Sequence, residues 1–283
     1  MNSQRVSVVI PAHNEAGHIA QQLRAVGGQI ADLEVEIIVV DNTSSDGTGS
    51  VVTSLGLANV MVISCQDGRG AAHARNHGVL HATGDVLLFC DADDVVADDW
   101  LQGMIAAARK YELFGGAVNT SSLDALRPDA VSDRFALPRD LDWKPWGISC
   151  NLGIRRATFE RLGGWNESYS CGEDIELSWR AAVAGVSFTP VTALVHYRPR
   201  PNGRLAFLQG FAWGRAAPKL RADFAGAGFT GRTWHAASRD WLRLARNAPY
   251  IVGSEWNRRE SARLAGLLVG RLVGSVRERT FLP

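Results

Sequence analysis

Four short apolar runs, rich in β-branched residues, alternate with helix-like stretches in the first part of the chain. The runs are RVSVVI (Arg5–Ile10), VEIIVV (Val35–Val40), NVMVI (Asn59–Ile63) and DVLLFC (Asp85–Cys90). Near-continuous apolar strands of this kind suit a parallel sheet that is covered by helices on both faces. The pattern therefore predicts an α/β fold with a mostly parallel central sheet.

Helices and further strands are expected between and beyond these runs. We predict helices after Glu15, after Asp46, over Gly70–Ala82, over Asp98–Tyr111 and from about Glu173, and strands over Leu113–Val118, in SCNLGIRR and over Ala193–Arg200. A polar loop should run from about Asn119 to Gly147, and loops of that length inside a compact domain are often lids or binding loops. The remainder of the chain is predicted to be helical.

Polar residues follow three of the predicted strands at the point where each strand ends. They are PAHNE (Pro11–Glu15), DNTSSDGT (Asp41–Thr48) and DADD (Asp91–Asp94). In open parallel sheets, ligands bind beyond the carboxyl ends of the strands. We therefore expect these three segments to converge on one edge of the sheet and to form a nucleotide site.

Three carboxylates, Asp91, Asp93 and Asp94, stand within four positions after the fourth apolar run. Carboxylates this close repel one another unless a cation or donors compensate. Hard divalent cations prefer carboxylate oxygen and often share it with substrate phosphates. We interpret Asp91 and Asp93 as metal ligands and Asp94 as a supporting or capping group. The alternative is that these acids cap the following helix.

Two adjacent acids, Glu173 and Asp174, stand at the predicted start of a helix. A positioned carboxylate can accept the proton of an attacking hydroxyl, which would make Asp174 a general base. The alternative is that both acids only complement the helix dipole, and the two roles are compatible.

Charge is distributed unevenly along the 283 residues, although the net charge is only +1. Residues 1–197 carry 14 basic and 24 acidic groups, whereas Arg198–Pro283 carries 16 basic and five acidic groups. The basic tail could therefore meet an anionic partner such as a membrane surface. Ala265, Leu268, Leu272 and Val276 recur there at helical spacing, and we expect that face mainly to pack on the rest of the protein.

The remaining composition excludes several classes of protein. No apolar run reaches the roughly 18 residues that a membrane span needs, and the first residues do not have the pattern of a secretory signal. The four cysteines form no C-x-x-C pair, so we expect reduced, buried thiols. His73, His77 and His81 are spaced four apart, which could chelate zinc, but no third ligand is evident on that face and we expect them to be structural.

The ordered motifs resemble the family 2 glycosyltransferases, which have the GT-A fold, from Val6 to about His196. The motifs are VSVVIPAHNE, VVDNTSSDGT, GRGAAHARNHG, LLFCDADD, LGGWNESY and GEDIELSWR. Each motif alone is weak, but their order and spacing together are specific. The Q-x-x-R-W signature of processive synthases is missing. The resemblance therefore implies transfer of one sugar rather than polymerisation.

The resemblance implies roles for particular residues. The nucleotide pocket would be formed by Pro11, Ala12, His13, Asn14, Glu15, Asp41, Asn42, Asp91 and Ala92, although Asp41 and Asn42 could simply form a turn at the strand end. Arg69 and Arg75 would either contact the diphosphate or be solvated. His196, in the VHYR context, would complete the metal site of Asp91 and Asp93, although a lone histidine is more often structural. Asp174 would be the base, assisted by Glu173. Trp143, Trp146 and Trp165 could stack on an acceptor sugar, with core packing an equal alternative for Trp165.

The resemblance also implies an overall organisation. We expect a catalytic domain over residues 1–200, with a nucleotide-binding half of about 1–118 and an acceptor-binding half of about 119–200, and a basic helical extension over 201–283. The enzyme would use Mn²⁺ or Mg²⁺ and a nucleotide diphosphate sugar, with a UDP-sugar favoured. Its acceptor would be a carbohydrate or a lipid-linked sugar in glycan or glycolipid biosynthesis, including polysaccharide biosynthesis, and the transfer would be inverting. We expect no nucleic-acid partner and a cytoplasmic location, with peripheral contact at the inner face of an anionic membrane left open.

Two other classes of function compete with this hypothesis. The DADD segment also fits the D-x-D-x-V motif of haloacid-dehalogenase-type phosphatases, with Asp91 as nucleophile and Asp93 as acid. Those enzymes also need a downstream lysine, and Lys110, Lys144 and Lys219 have no persuasive context. The third possibility is a non-catalytic nucleotide-sugar-binding protein with a membrane-associating tail.

Overall fold

The architecture is that of a computed structural model, which describes residues 5–30, 33–126, 134–135, 141, 143–231, 234–247 and 253–280. The elements follow one another as β1 (Val6–Ala12), α1 (Ile19–Gly27), β2 (Val35–Asp41), α2 (Thr48–Ser54), β3 (Val60–Ser64), α3 (Ala71–His81), β4 (Val86–Phe89), β5 (Val95–Val96), α4 (Trp100–Ala108), β6 (Leu113–Asn119), β7 (Arg134–Phe135), β8 (Leu152–Arg155), α5 (Arg156–Leu162), α6 (Glu173–Val183), β9 (Phe188–His196), α7 (Gly203–Phe224), α8 (Trp234–Asn247) and α9 (Glu255–Arg277). The predicted α/β class is confirmed.

The strands form one nine-stranded mixed sheet in the order β3-β2-β1-β4-β8-β6-β9-β5, with β7 beside β6. The first four strands in this order pair in parallel, and β6 pairs in parallel with β9. The strands β8, β5 and β7 pair antiparallel with their neighbours. The half of the sheet formed by β1 to β4 is therefore parallel as predicted, whereas the other half of the sheet mixes both directions.

The side chains of β1 point alternately to the two faces of the sheet, and helices cover both faces. Val8 and Ile10 pack in one apolar cluster with α1 and α4, while Val9 packs in the other with α3 and α6. Successive side chains of a strand point to opposite faces, so a run that is apolar at every position is buried on both sides. The loops that follow β1, β2 and β4 lie at the edge of the sheet where these three strands end.

Several predicted bounds shift in the structure. The helix predicted over Asp98–Tyr111 is shorter, at Trp100–Ala108, and SCNLGIRR divides into a 3₁₀ turn at Ser149–Asn151 and β8. The last strand ends at His196 rather than at Arg200, and Pro199 and Pro201, which cannot donate to a ladder, follow it. The predicted loop from Asn119 to Gly147 lies partly outside the described residues.

The C-terminal helices are held together by glycines. A Cβ at Gly210 or Gly214 of α7 would lie 2.0–2.1 Å from carbonyl oxygens of α9, and one at Gly266 or Gly270 of α9 would lie 2.1–2.2 Å from those of α7. Only glycine allows the two backbones to approach this closely. Among the described residues, no helix is both long and apolar enough to cross a membrane.

The apolar face predicted in the tail divides between packing and solvent. Leu268 is buried, but Leu272 and Val276 are 44% and 81% exposed. The face therefore packs inward at Leu268 and is exposed to solvent at Leu272 and Val276. The reason is that the glycines of α9, and not its largest apolar residues, face α7.

Candidate active site

The loops after β1 and β2 are joined by hydrogen bonds at the carboxyl edge of the sheet. The backbone N–H of Asn14 donates to Ser44 Oγ at 3.0 Å, and Asn14 Oδ1 accepts from the N–H of Ser45 at 2.8 Å. The N–H of Glu15 donates to Thr48 Oγ1 at 2.9 Å, and that of Ala16 to Asp46 Oδ2 at 3.0 Å. Two of the three predicted polar segments therefore form one joined wall.

Asp41 and Asn42 stand at the base of this wall. Asp41 Oδ1 accepts from the N–H of Ser44 at 3.1 Å, and a Cβ at Gly49 would lie 2.8 Å from Asp41 Oδ2. The buried amide of Asn42 donates to the carbonyls of Cys65 and Gly68 at 3.1 and 2.9 Å. The Asn42 side chain therefore holds the loop after β3, while Asp41 and the exposed His13 and Asn14 remain closer to solvent.

Arg75 is the buried centre of the site. Its guanidinium donates to Asp91 Oδ1 at 2.7 Å, to Glu173 Oε1 at 2.8 Å and to Ser149 Oγ at 3.0 Å, and it lies 5.2 Å from the centroid of the Trp165 ring. Despite the cost of burying a charge, the two carboxylates keep the pKa of Arg75 above its usual value. Arg75 is therefore buried beneath the site, where it links the carboxylates of Asp91 and Glu173. The sequence predicts instead a position at the diphosphate or in solvent.

The DADD segment forms a turn at the end of β4 that leads directly into β5, and α4 begins only at Trp100. The alternative that Asp91 and Asp93 cap the next helix is therefore wrong. Ala92 is buried at 2% exposure, and the Asp91 side chain is about a third exposed.

The acids of this turn differ in environment. Burial and the Asp91 charge raise the pKa of Asp93 to about 6, although Arg200 Nη1 lies 3.3 Å from Asp93 Oδ2. Asp94 is buried, and its pKa is raised well above the usual range by burial and by the neighbouring acids. Its Oδ1 accepts from the N–H of Arg198 at 2.9 Å, whereas its buried Oδ2 has no hydrogen-bond partner among the described residues.

These features fit an oxygen-preferring divalent cation. Repelling carboxylates and an orphaned carboxylate oxygen are what such a cation would relieve. Ligand atoms of Asp91, Asp94 and Cys150 lie within 4.8 Å of one another, and this group does not include Asp93 or His196. His196 instead has its Nδ1 2.7 Å from Ser122 Oγ, while its backbone pairs with Val95.

The acid pair begins α6, as predicted. Asp174 is half-buried, and it accepts from the N–H of Ser149 at 3.2 Å and from its own neighbour Ile175 at 2.8 Å. Burial, followed by the adjacent Glu173 charge, raises the pKa of Asp174 to about 7. A carboxyl with such a pKa can exchange a proton near neutral pH. Since Glu173 also contacts Arg75, one arginine joins the acid pair to the DADD turn.

The predicted acceptor tryptophans are mostly core residues. Trp165 is 2% exposed and meets Phe89 edge to face at 5.1 Å. Trp146 is 9% exposed, and Trp143 meets Trp179 edge to face at 5.0 Å. The rings of Trp165 and Trp146 are enclosed and cannot stack on a sugar, whereas Trp143 is half-buried. For Trp165 the structure supports the core-packing alternative. The predicted Arg69 is exposed in the loop after β3.

Sequence reasoning missed the contribution of Arg198 and Arg200, which were counted only as part of the basic tail. Arg198 Nε donates to the carbonyl of Asp93 at 2.8 Å, and Arg200 pairs with the Asp93 carboxylate. The available signal was their position in HYRPR, directly after the strand that ends at His196.

Comparison with known proteins agrees with this architecture. The model of the family described as glycosyl transferase family 2 matches residues 7–162. The glycosyltransferase AglE of Haloferax volcanii is 29% identical over 210 residues, which cover 71% of this chain and 69% of that protein. The chain spans 69% of the length of AglE, and 51% and 28% of the lengths of two related Bacillus subtilis proteins.

Solved structures show the same fold. The mannosyltransferase PcManGT from Pyrobaculum calidifontis, in complex with GDP-Man and Mn²⁺, has a TM-score of 0.64 at 22% identity, covering 97% of this chain and 88% of that chain. S. aureus TarS 1–349, in complex with UDP-GlcNAc, has a TM-score of 0.54 at 15% identity, covering 99% of this chain and 93% of that chain. The sheet and its helices are therefore those of the GT-A fold. Because the family model spans more than half of the sequence, the chain belongs to glycosyl transferase family 2 and is a glycosyltransferase enzyme.

Proposed function

We propose that this enzyme transfers one sugar from a nucleoside diphosphate sugar to an acceptor hydroxyl by a metal-dependent single displacement that inverts the anomeric centre. The observation that carries the proposal is the buried Arg75, which joins Asp91 of the DADD turn to Glu173 beside Asp174. Through this contact the proposed metal site and the proposed base are held at one edge of the sheet.

The wall formed by Pro11–Glu15 and Asp41–Thr48 would bind the nucleotide, with Asp41 accepting from the base and Arg69 near the diphosphate. Asp91 and Asp93 would hold Mn²⁺ or Mg²⁺, and the unpartnered Asp94 oxygen supports a cation there. His196 would complete this site only by giving up its contact with Ser122 Oγ. A divalent metal stabilises the negative charge that develops on a leaving diphosphate. The structural neighbours bind GDP-Man with Mn²⁺ and UDP-GlcNAc, which supports a nucleotide-sugar donor, and we propose a UDP-sugar.

Asp174 would take the proton of the acceptor hydroxyl as that oxygen attacks the anomeric carbon. A base is best placed when its pKa lies near the working pH, and the pKa of Asp174 is raised to about 7. The acceptor would be a carbohydrate or a lipid-linked sugar in glycan or glycolipid biosynthesis, bound on the side of α6. Trp143 is the remaining aromatic candidate there, because it is half-buried rather than fully enclosed.

A donor screen tests this function. Thermal shifts with UDP, GDP and their sugars, with Mn²⁺ or Mg²⁺ and with EDTA, should identify a nucleotide that stabilises the protein only when metal is present. The donor found is then used with a panel of acceptors, and NMR of the product reads its anomeric configuration. Equal stabilisation in EDTA would remove the metal from the proposal, and retention of configuration would remove the single displacement.

The phosphatase alternative makes a different prediction in the same preparation. Its nucleophile would be Asp91, which here is bound to Arg75 rather than placed beside a lysine. Metal-dependent release of phosphate from a generic phosphoester, without sugar transfer, would favour it. A metal-dependent nucleotide shift with no turnover for any acceptor would favour the non-catalytic binding protein.

We also propose that the C-terminal helices contact an anionic membrane surface peripherally. Large apolar side chains are exposed there beside arginines, namely Leu205, Leu208, Trp213, Trp241, Leu242, Val269, Leu272, Val273 and Val276. An exposed apolar face with basic neighbours suits the interface of an anionic bilayer. Such contact would bring the active site to a lipid-linked acceptor.

A further inference from the structure

The loop after β3 brings a thiol and a carboxylate to the histidine face of α3. This loop, Cys65–Gly70, is held by Asn42, which donates to the carbonyls of Cys65 and Gly68 and accepts from the N–H of Gly70. The sequence indicated no third ligand near His73 and His77. That expectation was wrong, because the path of this loop places Cys65 and Asp67 beside both histidines.

The ligand atoms of four side chains lie close enough together to reach one metal ion. Ligand atoms of Cys65, Asp67, His73 and His77 all lie within 4.8 Å of one another. Asp67 Oδ1 is 3.1 Å from His73 Nε2, 3.4 Å from Cys65 Sγ and 3.9 Å from His77 Nδ1. Zinc bonds of about 2.0–2.3 Å would place tetrahedral ligand atoms about 3.3–3.8 Å apart. Only small rotations of these side chains would therefore be needed.

A second carboxylate orients the central histidine. His73 Nδ1 lies 2.8 Å from Glu167 Oε2, and Glu167 Oε1 accepts from Asn76 Nδ2 at 2.7 Å. Metal-bound histidines typically donate their other ring N–H to a carboxylate in this way. If Nδ1 donates to Glu167, a neutral His73 has a lone pair on Nε2, and this lone pair points toward Asp67. Both His73 Nε2 and the Asp67 carboxylate are then hydrogen-bond acceptors. A proton or a cation between them would remove the unfavourable contact.

The loop is also shaped for close approach. A Cβ at Gly68 would lie 2.5 Å from His73 Nε2, so that any larger residue would displace the imidazole. Cys65 is buried, and the side chains of His73 and His77 are 18% and 22% exposed. Asp67 is 70% exposed and closes the group on the solvent side.

We propose that Cys65, Asp67, His73 and His77 bind Zn²⁺, at a site separate from the DADD turn. One sulfur, two imidazole nitrogens and one carboxylate oxygen form a donor set that suits zinc, whereas the carboxylates of the DADD turn suit Mg²⁺ or Mn²⁺. The ion would fasten the loop that carries Arg69 to α3, and through His73 and Glu167 it would also fix the segment around Trp165. It stabilises the nucleotide edge and takes no part in sugar transfer.

Direct metal binding tests the proposal. Protein stripped with a chelator is titrated with Zn²⁺ against a chromophoric competitor, in excess Mg²⁺ to occupy the carboxylate turn. We expect one high-affinity zinc per chain, at least about tenfold weaker binding in Cys65→Ser and His77→Ala, and a loss of about 10–100-fold in Glu167→Gln. Co²⁺ should give tetrahedral d–d bands and a thiolate charge-transfer band that disappears in Cys65→Ser.

The matched control is His81→Ala, one turn further along the same helix. The centroid of the His81 ring lies 5.4 Å from that of His77, but His81 does not belong to the group of ligands. Its loss should therefore leave the zinc affinity unchanged. If a buried Cys65 variant does not fold, Asp67→Ala, at an exposed side chain, carries the same test. The proposal is overturned if wild type binds no stoichiometric zinc, or if the ligand variants bind it as wild type does.

Discussion

At the scale of the residue, Asp174 is the group on which the proposed chemistry depends most directly. It is held by the N–H groups of Ser149 and Ile175, which favour the charged form, yet burial and Glu173 outweigh them and raise its pKa to about 7. The charged carboxylate, which is the base, therefore prevails only above that pH. This sets the direction of a pH dependence.

We predict that kcat/KM rises with pH through about 7 and then levels, because deprotonation of Asp174 creates the base. Asp174→Asn keeps the shape without the basicity, and it should lower kcat by about 10²–10⁴-fold. Calorimetric titration should find its nucleotide affinity nearly unchanged, whereas Asp93→Asn should weaken metal-dependent binding as well. Turnover of Asp174→Asn near the wild-type rate would show that another group is the base.

Arg75 leads to a prediction about stability. Arg75→Met leaves the buried Glu173 and the partly buried Asp91 without their cation, and removing one partner of a buried ion pair costs about 3–5 kcal/mol. Urea unfolding should show this loss, with partial rescue by adding Glu173→Gln. The control is Arg69→Met, at an exposed side chain, which should change stability by no more than about 0.5 kcal/mol. Equal stability of the two variants would show that Arg75 does not stabilise the protein by linking Asp91 to Glu173.

At the scale of the element, the pair α7 and α9 depends on backbone contact rather than on large apolar side chains. The glycines are spaced four apart on each helix, at Gly210 and Gly214 and at Gly266, Gly270 and Gly274. Glycine within a helix costs about 1 kcal/mol relative to alanine, so its repeated use here is explained by the close approach that it permits.

We predict that Gly270→Ala destabilises the protein by about 1–3 kcal/mol, because its Cβ would lie 2.2 Å from the carbonyl oxygen of Phe211. The matched control is Gly103→Ala in α4, where a Cβ would lie 3.5 Å from the nearest atom, an ordinary contact. That variant should be neutral or more stable by up to about 1 kcal/mol. Thermal unfolding compares the two, and a stabilised Gly270→Ala would mean that the helices do not meet as described.

At the scale of the whole molecule, α7 and α9 are bonded to residues that precede β9 in the chain rather than standing apart. The Tyr169 hydroxyl donates to Asp223 Oδ2 of α7 at 2.5 Å. Arg259 of α9 forms a bidentate ion pair with Asp124, with distances of 2.7 and 2.5 Å. The helices that carry these exposed apolar side chains are therefore fixed to the preceding part of the chain.

We predict that the protein sediments with anionic liposomes at low salt and much less with neutral ones, because basic residues near the surface each contribute about 1 kcal/mol to binding an anionic leaflet. Val276→Asp should reduce binding to the anionic vesicles. Leu80→Asp on α3 is the matched control, because both side chains are 81% exposed. No preference for anionic vesicles, or equal loss in both variants, would remove the membrane from the proposal.

Much of the fold could be predicted from patterns of residues that lie close together in the sequence. The apolar runs became β1 to β4, the polar segments at their ends follow β1, β2 and β4 at one edge, and Glu173 begins α6. These features are predictable because strand burial, helix starts and strand ends depend on residues close together in the sequence. The domain boundaries over residues 1–200 and 201–283 remain a prediction.

The sequence by itself determined the α/β class, the family and the positions of the acids, since each is encoded in short, ordered motifs. Only the tertiary structure decided what those groups contact. Arg75 meets a carboxylate 98 residues away, His196 lies against Ser122, and Cys65 and Asp67 join the histidines of α3. The reason is that such contacts depend on the paths of loops and on the three-dimensional competition for partners, which no local spacing of residues records.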